Sequence, residues 1–260
     1  MFFFDIDETL YSDSHKSVLS QNKKLILELS KNPNNVLGIA TGRNHGNLKV
    51  VEELLPCFKY LVLINGALVL ENNKIIDKTP ISVENIEKVL KHSELLSNEG
   101  NEIVSSTISF DKSAFYSNND NQKEIIKLWQ SRFEIAIDDE FHLKEEVFML
   151  NLFGRDKDKI KPFLDELDLF QAYYWRTHID LTVKDINKFS SIKNIKEKYP
   201  EHELICTGDG YNDLEMLENA DIGVVMGNCE YDEVIEKANL KAPRIEENKL
   251  YDFFKENNLF

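Results

Sequence analysis

Short, near-continuous apolar runs limit what this chain can fold into: FFFDI, NVLGIAT, YLVLI, HIDLTV, ELICTGD and IGVVM all read as buried strands. Segments after several of them carry helical spacing instead, as with Val18, Leu25, Ile26 and Leu29. Strands with no polar alternation, followed by helices, predict an α/β fold whose parallel sheet is covered on both faces. Ligands of such sheets bind beyond the carboxyl ends of the strands. The polar residues fall at those ends: Asp5 and Asp7 close the first run, Thr41-Gly42-Arg43 the second, and Asp209 closes ELICTGD.

Between about residues 81 and 180 the texture changes. YLVLINGALVLENNKII reads as a hairpin turning through Asn65-Gly66. After it come a helix over Val83 to Leu96, a polar stretch, a helix over Gln122 to Phe133, the strand EVFMLNLFG, a helix over Asp156 to Leu167, and the strand QAYYWRT. This alternation predicts an α+β unit, residues 81–180, inserted into a parallel-sheet domain made of residues 1–80 and 181–260.

With 260 residues, 42% of them hydrophobic, the chain can bury a substantial core. Its 46 acidic against 31 basic residues give a formal charge of -15, which opposes binding to nucleic acid or to an anionic membrane. A small phosphorylated substrate stays compatible, since one cation or metal reverses the sign inside a pocket. Cys57, Cys206 and Cys229 are odd in number and in no zinc or disulfide spacing, and none is followed by the Arg that a cysteine phosphatase needs. No apolar run approaches the roughly 20 residues of a membrane span. A cytoplasmic, soluble protein is expected; nothing in the sequence sets its oligomeric state.

Asp5 and Asp7 lie two apart at a strand end, where both could face a cation. A lone D-x-D is more often a solvated strand terminus. A calcium loop fails on spacing: from Asp5 it needs Gly and Glu where the chain has Leu10 and Lys16, and from Asp209 it meets Leu214 and Ala220.

Read in order, FFFDIDETL, GIATGR, DINK ahead of a helix, and CTGDGYNDLEML resemble the four motifs of the haloacid dehalogenase-like superfamily of phosphohydrolases. GDGYNDLEML followed by IGVVMGN is similar to the Cof-type (subfamily IIB) signature, whose cap lies between the second and third motifs, where residues 81–180 sit here. The resemblance implies a Rossmann-like core, a C2-type cap, and a Mg²⁺-dependent phosphatase acting on a small phosphorylated metabolite. It implies Asp5 as nucleophile, Asp7 as general acid and base, and Mg²⁺ on Asp5, the backbone carbonyl of Asp7, and Asp209. Thr41, the backbone N–H groups beside it at Gly42, and Lys188 would bind the phosphoryl group, with Asn212 nearby and Asp213 orienting Lys188 or metal-bound water. Such a division of labour makes physical sense, because phosphate-monoester hydrolysis needs accelerations of up to about 10²¹-fold, beyond one residue.

Some assignments stay open on the sequence. Lys184 lies four residues before Lys188, but continues the HIDLTV strand reading, whereas Lys188 opens a helix as the family lysine does. Asn212 and Asp213 also suit N-capping of the helix through Leu214 and Leu217. Glu8 stands where the family usually has Gly, so it either adopts a different backbone conformation or adds a carboxylate near the site. Asn65-Gly66 is expected to serve as a plain type I′ turn, with Asn228 of similar status, and Trp175, Arg176 and His178 fit core and surface better than substrate contact. A phosphomutase, or a metal-binding regulatory protein without turnover, remain the alternatives.

Overall fold

The computed structural model describes residues 1–130 and 135–260, with nothing said of the side chains of residues 128–130. The chain divides into two compact units. The first comprises Met1–Arg43, Asn47–Lys78 and Asn187–Phe260; the second comprises Asn44–Gly46 and Thr79–Ile186.

The first unit is built on an eight-stranded sheet, ordered from edge to edge Leu240–Lys241, Ile222–Val225, Ile205–Gly208, Phe2–Phe4, Leu37–Ala40, Tyr60–Leu63, Leu68–Glu71 and Lys74–Lys78. All neighbours as far as Tyr60–Leu63 pair in parallel; the last two strands add antiparallel. Burial on both faces explains the apolar runs, since Phe3, Phe4, Ile39, Val62, Cys206 and Val224 are all fully buried. The helix Ser20–Leu29 buries Leu25, Ile26 and Leu29 as their spacing predicts. Val18 falls ahead of it, paired with Tyr11 in a two-stranded flap, so the helical spacing begins one turn later than expected.

In the second unit a six-stranded sheet runs Ala136–Ile137, Ser113–Tyr116, Val104–Ile108, Met149–Phe153, His178–Val183 and Phe170–Tyr174. Helix Val83–Asn98 packs Ile86, Val89 and Leu90 into a core with Leu150, Leu152, Ile179 and Leu181. The helix expected to end at Phe133 is described as Asp120–Gln130; Phe133 lies outside the described residues.

HIDLTV corrects the parallel-sheet reading. It is a central strand of this second, largely antiparallel sheet, paired with Met149–Phe153 on one side and Phe170–Tyr174 on the other. Central strands of either sheet are buried on both faces, so burial alone cannot separate them. The tight Trp175–Thr177 connection does, because a short link joins antiparallel neighbours only. Among the described residues no helix is long and apolar enough to cross a membrane.

Candidate active site

Register brings the chemistry to one edge of the first unit. Phe4 pairs with Ile39 on one side and Thr207 on the other, so Asp5 leaves its strand level with Ala40 and Gly208, and Thr41 and Asp209 follow one residue beyond. The Asp5 N–H donates to Thr207 O at 2.9 Å and Thr41 N–H to Val62 O at 2.9 Å, so the ladder holds both residues just past the strand ends.

Lys188 is the lysine that meets this rim. It is the first residue of helix Lys188–Lys196, fully buried, and its Nζ donates to Asp5 Oδ1 at 2.7 Å and Asp213 Oδ1 at 2.6 Å. Lys184 belongs to the other unit and is spent on Asp168 at 2.6 Å. The helix start is fixed by a reciprocal cap, Ser190 N–H to Asn187 Oδ1 at 2.8 Å and Asn187 N–H to Ser190 Oγ at 3.1 Å. Ser191 Oγ then ties that first turn to Gly66 O at 2.7 Å.

Gly66 explains why the turn must carry glycine. Its φ is 100°, and a Cβ there would lie 2.2 Å from Asn187 O. Gly66→Ala is therefore expected to cost about 1–3 kcal/mol, read by urea denaturation, and to displace Lys188 enough to depress turnover. Wild-type values for both would disprove this positioning.

The carboxylates are arranged around Lys188. Asp213 Oδ2 accepts from the N–H groups of Asp209 at 3.0 Å and Gly210 at 2.9 Å, closing the 3₁₀ turn Tyr211–Asp213. Asp213 stands at the N-cap position of the helix Leu214–Glu218, but its carboxylate makes no capping bond to that helix. Asp209 accepts from Thr9 Oγ1 at 3.0 Å and from Asn228 Nδ2 at 3.4 Å. Carboxylate oxygens of Asp5, Asp209 and Asp213 lie within 4.8 Å of one another.

Electrostatics follow from that crowding. Burial, then the charges of Asp213 and Asp7, push the Asp5 carboxyl up to about 7 against the pull of Lys188. Burial likewise drives Asp209 well above the usual carboxylate range, helped by Asp5 and Asp213. Burial opposes the Lys188 ammonium, but Asp213 and Asp5 outweigh it and hold the lysine charged. A pocket of oxygen donors carrying more negative charge than its one ammonium balances fits a hard divalent cation such as Mg²⁺.

Asp7 stands apart from the cluster. Its carboxylate is gripped by Arg43, Nε to Oδ2 at 2.9 Å and Nη2 to Oδ1 at 2.6 Å. Glu8 stays in the left-handed conformation that favours glycine, with φ 53°, and its Oε1 accepts from Asp13 N–H at 2.8 Å. Thr41 is fully buried, and its Oγ1 accepts from Arg43 N–H at 3.2 Å, leaving the O–H to donate.

Asn65 does more than turn a hairpin. Fully buried, with φ 51°, it accepts from Asn212 Nδ2 at 2.8 Å, and a Cβ on Gly42 would come 3.2 Å from its Oδ1. It thus orients Asn212 and leaves a side chain at 42 a tight fit. Asn228 joins the site by donating to Glu8 O at 2.9 Å. Trp175 Nε1 and His178 both contact the buried Asp180 of the second unit, at 2.9 Å and 3.2 Å, while Arg176 is exposed. Sequence reading named Arg43 and Asn65 without giving them these contacts and passed over Asp180; Arg43 carried a signal, a base two residues beyond the strand-end Thr41.

Comparison with known proteins places the chain in a family. The profile for haloacid dehalogenase-like hydrolases matches residues 2–254. A Bacillus subtilis (strain 168) protein named "Putative phosphatase YkrA" is 30% identical over 232 residues, covering 88% of this chain and 86% of that one. The B. subtilis 5-amino-6-(5-phospho-D-ribitylamino)uracil phosphatase YcsE is 25% identical, covering 87% and 83%. Among solved structures, the HAD subclass IIB sugar phosphatase BT4131 superposes with a TM-score of 0.81 at 22% identity, covering 100% of this chain and 99% of that one. The chain belongs to the haloacid dehalogenase-like hydrolases and is an enzyme of the Cof-type branch.

Proposed function

We propose that this hydrolase is a Mg²⁺-dependent phosphatase of small phosphorylated metabolites, sugar phosphates or similar compounds, working through an aspartyl-phosphate on Asp5. The buried Lys188 ammonium held between Asp5 and Asp213 at the strand ends carries the reading. It pulls the buried Asp5 carboxyl toward its ionised form against desolvation and sets a fixed donor beside it.

Asp5 attacks phosphorus while Asp7 hands its proton to the departing alkoxide, and Asp7 then takes a proton from the water that cleaves the aspartyl-phosphate. Thr41 O–H, the Gly42 N–H, Lys188 and Asn212 donate to the phosphoryl oxygens, and Asp213 holds Lys188 in place. Asp5, Asp209 and the Asp7 backbone carbonyl would hold Mg²⁺, which would supply neutralising charge where one anion approaches another.

The second unit is the substrate-selecting cap in this reading. The net charge of -15 disfavours nucleic acid and anionic lipid as partners, and the three free cysteines suit the cytoplasm. The names of the relatives favour a small phosphorylated metabolite. Incubating the purified chain with a panel of sugar phosphates and Mg²⁺ is expected to release phosphate, to stop on chelation with EDTA, and to resume when Mg²⁺ is restored. No release from any member of the panel would overturn the reading.

A further inference from the structure

We propose that Arg43 is a positioning residue for proton transfer: its guanidinium anchors the Asp7 carboxylate at two points and so fixes the direction in which Asp7 gives and takes a proton. The inference rests on the role given to Asp7 above and extends it to a residue outside that machinery.

Asp7 needs such an anchor. It sits in the tight turn after the first strand, where Ile6 O accepts from the N–H groups of Leu10 and Tyr11 at 2.9 and 2.8 Å and Glu8 is left-handed. The turn fixes the backbone of residue 7 but not its side chain. That side chain is 42% exposed, whereas the carboxylates of Asp5 and Asp213 are held in the interior. A half-exposed carboxylate samples several rotamers in water unless something holds it.

Arg43 supplies that hold, and is itself held. Nε and Nη2 grip the two Asp7 oxygens, while Nη1 donates to Asn47 O at 3.0 Å and the guanidinium lies 6.0 Å from the centre of the Tyr11 ring. Burial works against its charge, but the bond to Asp7 and the Asp7 charge prevail and keep it protonated. Only a planar fork reaches both oxygens at once; a lysine ammonium meets a carboxylate as a point charge. The backbone N–H of the same residue bonds Thr41 Oγ1, so one residue spans from the phosphate-binding hydroxyl to the acid.

In the first step a bond forms from an Asp5 oxygen to phosphorus, the P–O bond to the leaving alkoxide breaks, and the Asp7 proton passes to that alkoxide, giving the alcohol. In the second the water oxygen bonds to phosphorus, its proton passes to Asp7, and the Asp5 O–P bond breaks to free Asp5 and inorganic phosphate. Whenever Asp7 carries the proton, one of its oxygens gives up an N–H partner and the other stays on the guanidinium. The carboxyl then pivots about a fixed point instead of swinging free.

The test compares Arg43→Gln and Arg43→Lys with wild type on two esters in Mg²⁺: an aryl phosphate, whose leaving group departs without a proton, and a hexose phosphate, whose alkoxide needs one. The readout is kcat/KM, which reports the step in which the leaving group departs. For Arg43→Gln the hexose phosphate is expected to lose about 10²-fold or more, the aryl phosphate only a few-fold, and Lys is expected to restore part of the loss. Parallel losses on both esters would overturn the proposal, since a substrate-binding or purely structural role predicts that pattern. Thermal midpoints verify folding, and if the Gln variant does not fold the Lys variant carries the same comparison. A wild type inactive on both esters overturns the functional reading together with this one; an active wild type with parallel losses overturns this one alone.

Discussion

Asp5→Asn is expected to remove phosphate release, by about 10⁴-fold or more in kcat, without unfolding the protein. An amide keeps the size of the side chain and its contact with Lys188 but cannot displace an alkoxide from phosphorus. The same change relieves crowding, because Asp5 shares its pocket with Asp209 and Asp213. Without divalent cation the variant is therefore expected to melt no lower than wild type at neutral pH, and to gain much less from added Mg²⁺. The pH dependence has a definite sign. A carboxyl raised from 3.8 to about 7 binds protons in the folded state that the unfolded chain has released, so cation-free wild type loses stability as pH rises across that window. Mg²⁺ competes with those protons, so its stabilising effect grows with pH. Calorimetric melting at about pH 5.5 and pH 8, with and without Mg²⁺, measures all of this. Retained turnover in Asp5→Asn would remove the nucleophile, and an Mg²⁺ shift as large as that of wild type would remove Asp5 from the metal site.

What the amino-acid sequence made readable was the set of features that local chemistry dictates. Strands buried on both faces have to be apolar throughout, so Phe2–Phe4 and Ile205–Gly208 announce themselves, and a carboxylate tolerated only at the end of such a run marks Asp5 and Asp209. Lys188 could be separated from Lys184 because one opens a helix after a polar turn and the other goes with the HIDLTV strand. What stayed hidden depends on partners far along the chain. Asn65 looks like half of a turn, and nothing near it says that Asn212, 147 residues later, will bond its side chain. Arg43 reaches Asp7 only because neighbouring parallel strands end together, and that pairing is set by the register of Phe4 with Ile39. HIDLTV shows the converse limit: the run was rightly read as a buried strand, yet which of two sheets receives it is decided by the length of a loop.

Lys188→Met is expected to cost about 3–5 kcal/mol of stability as well as all turnover, because it breaks a buried ion pair from one side only. Methionine fills most of the space of the lysine stem, so the loss is electrostatic and not that of a cavity. Lys188 is fully buried, and so is Asp213; without the ammonium, Asp5 and Asp213 face each other and Asp209 with no counter-charge inside the pocket. Asp213 keeps the Asp209 and Gly210 N–H groups, which softens the penalty on one oxygen but leaves the Oδ1 that Lys188 had served. The deficit is expected to widen as pH rises: Asp5 and Asp209, whose carboxyls folding raises, are protonated at low pH and withdraw stability once they ionise. Restoring neutrality by a second change, Lys188→Met with Asp213→Asn, is expected to recover a good part of the stability and none of the activity. Urea denaturation of the single and double variants at about pH 5.5 and pH 8 decides the matter. A single variant as stable as wild type at both values would mean that the ammonium does not balance these carboxylates, and the electrostatic account of the site would fall with it.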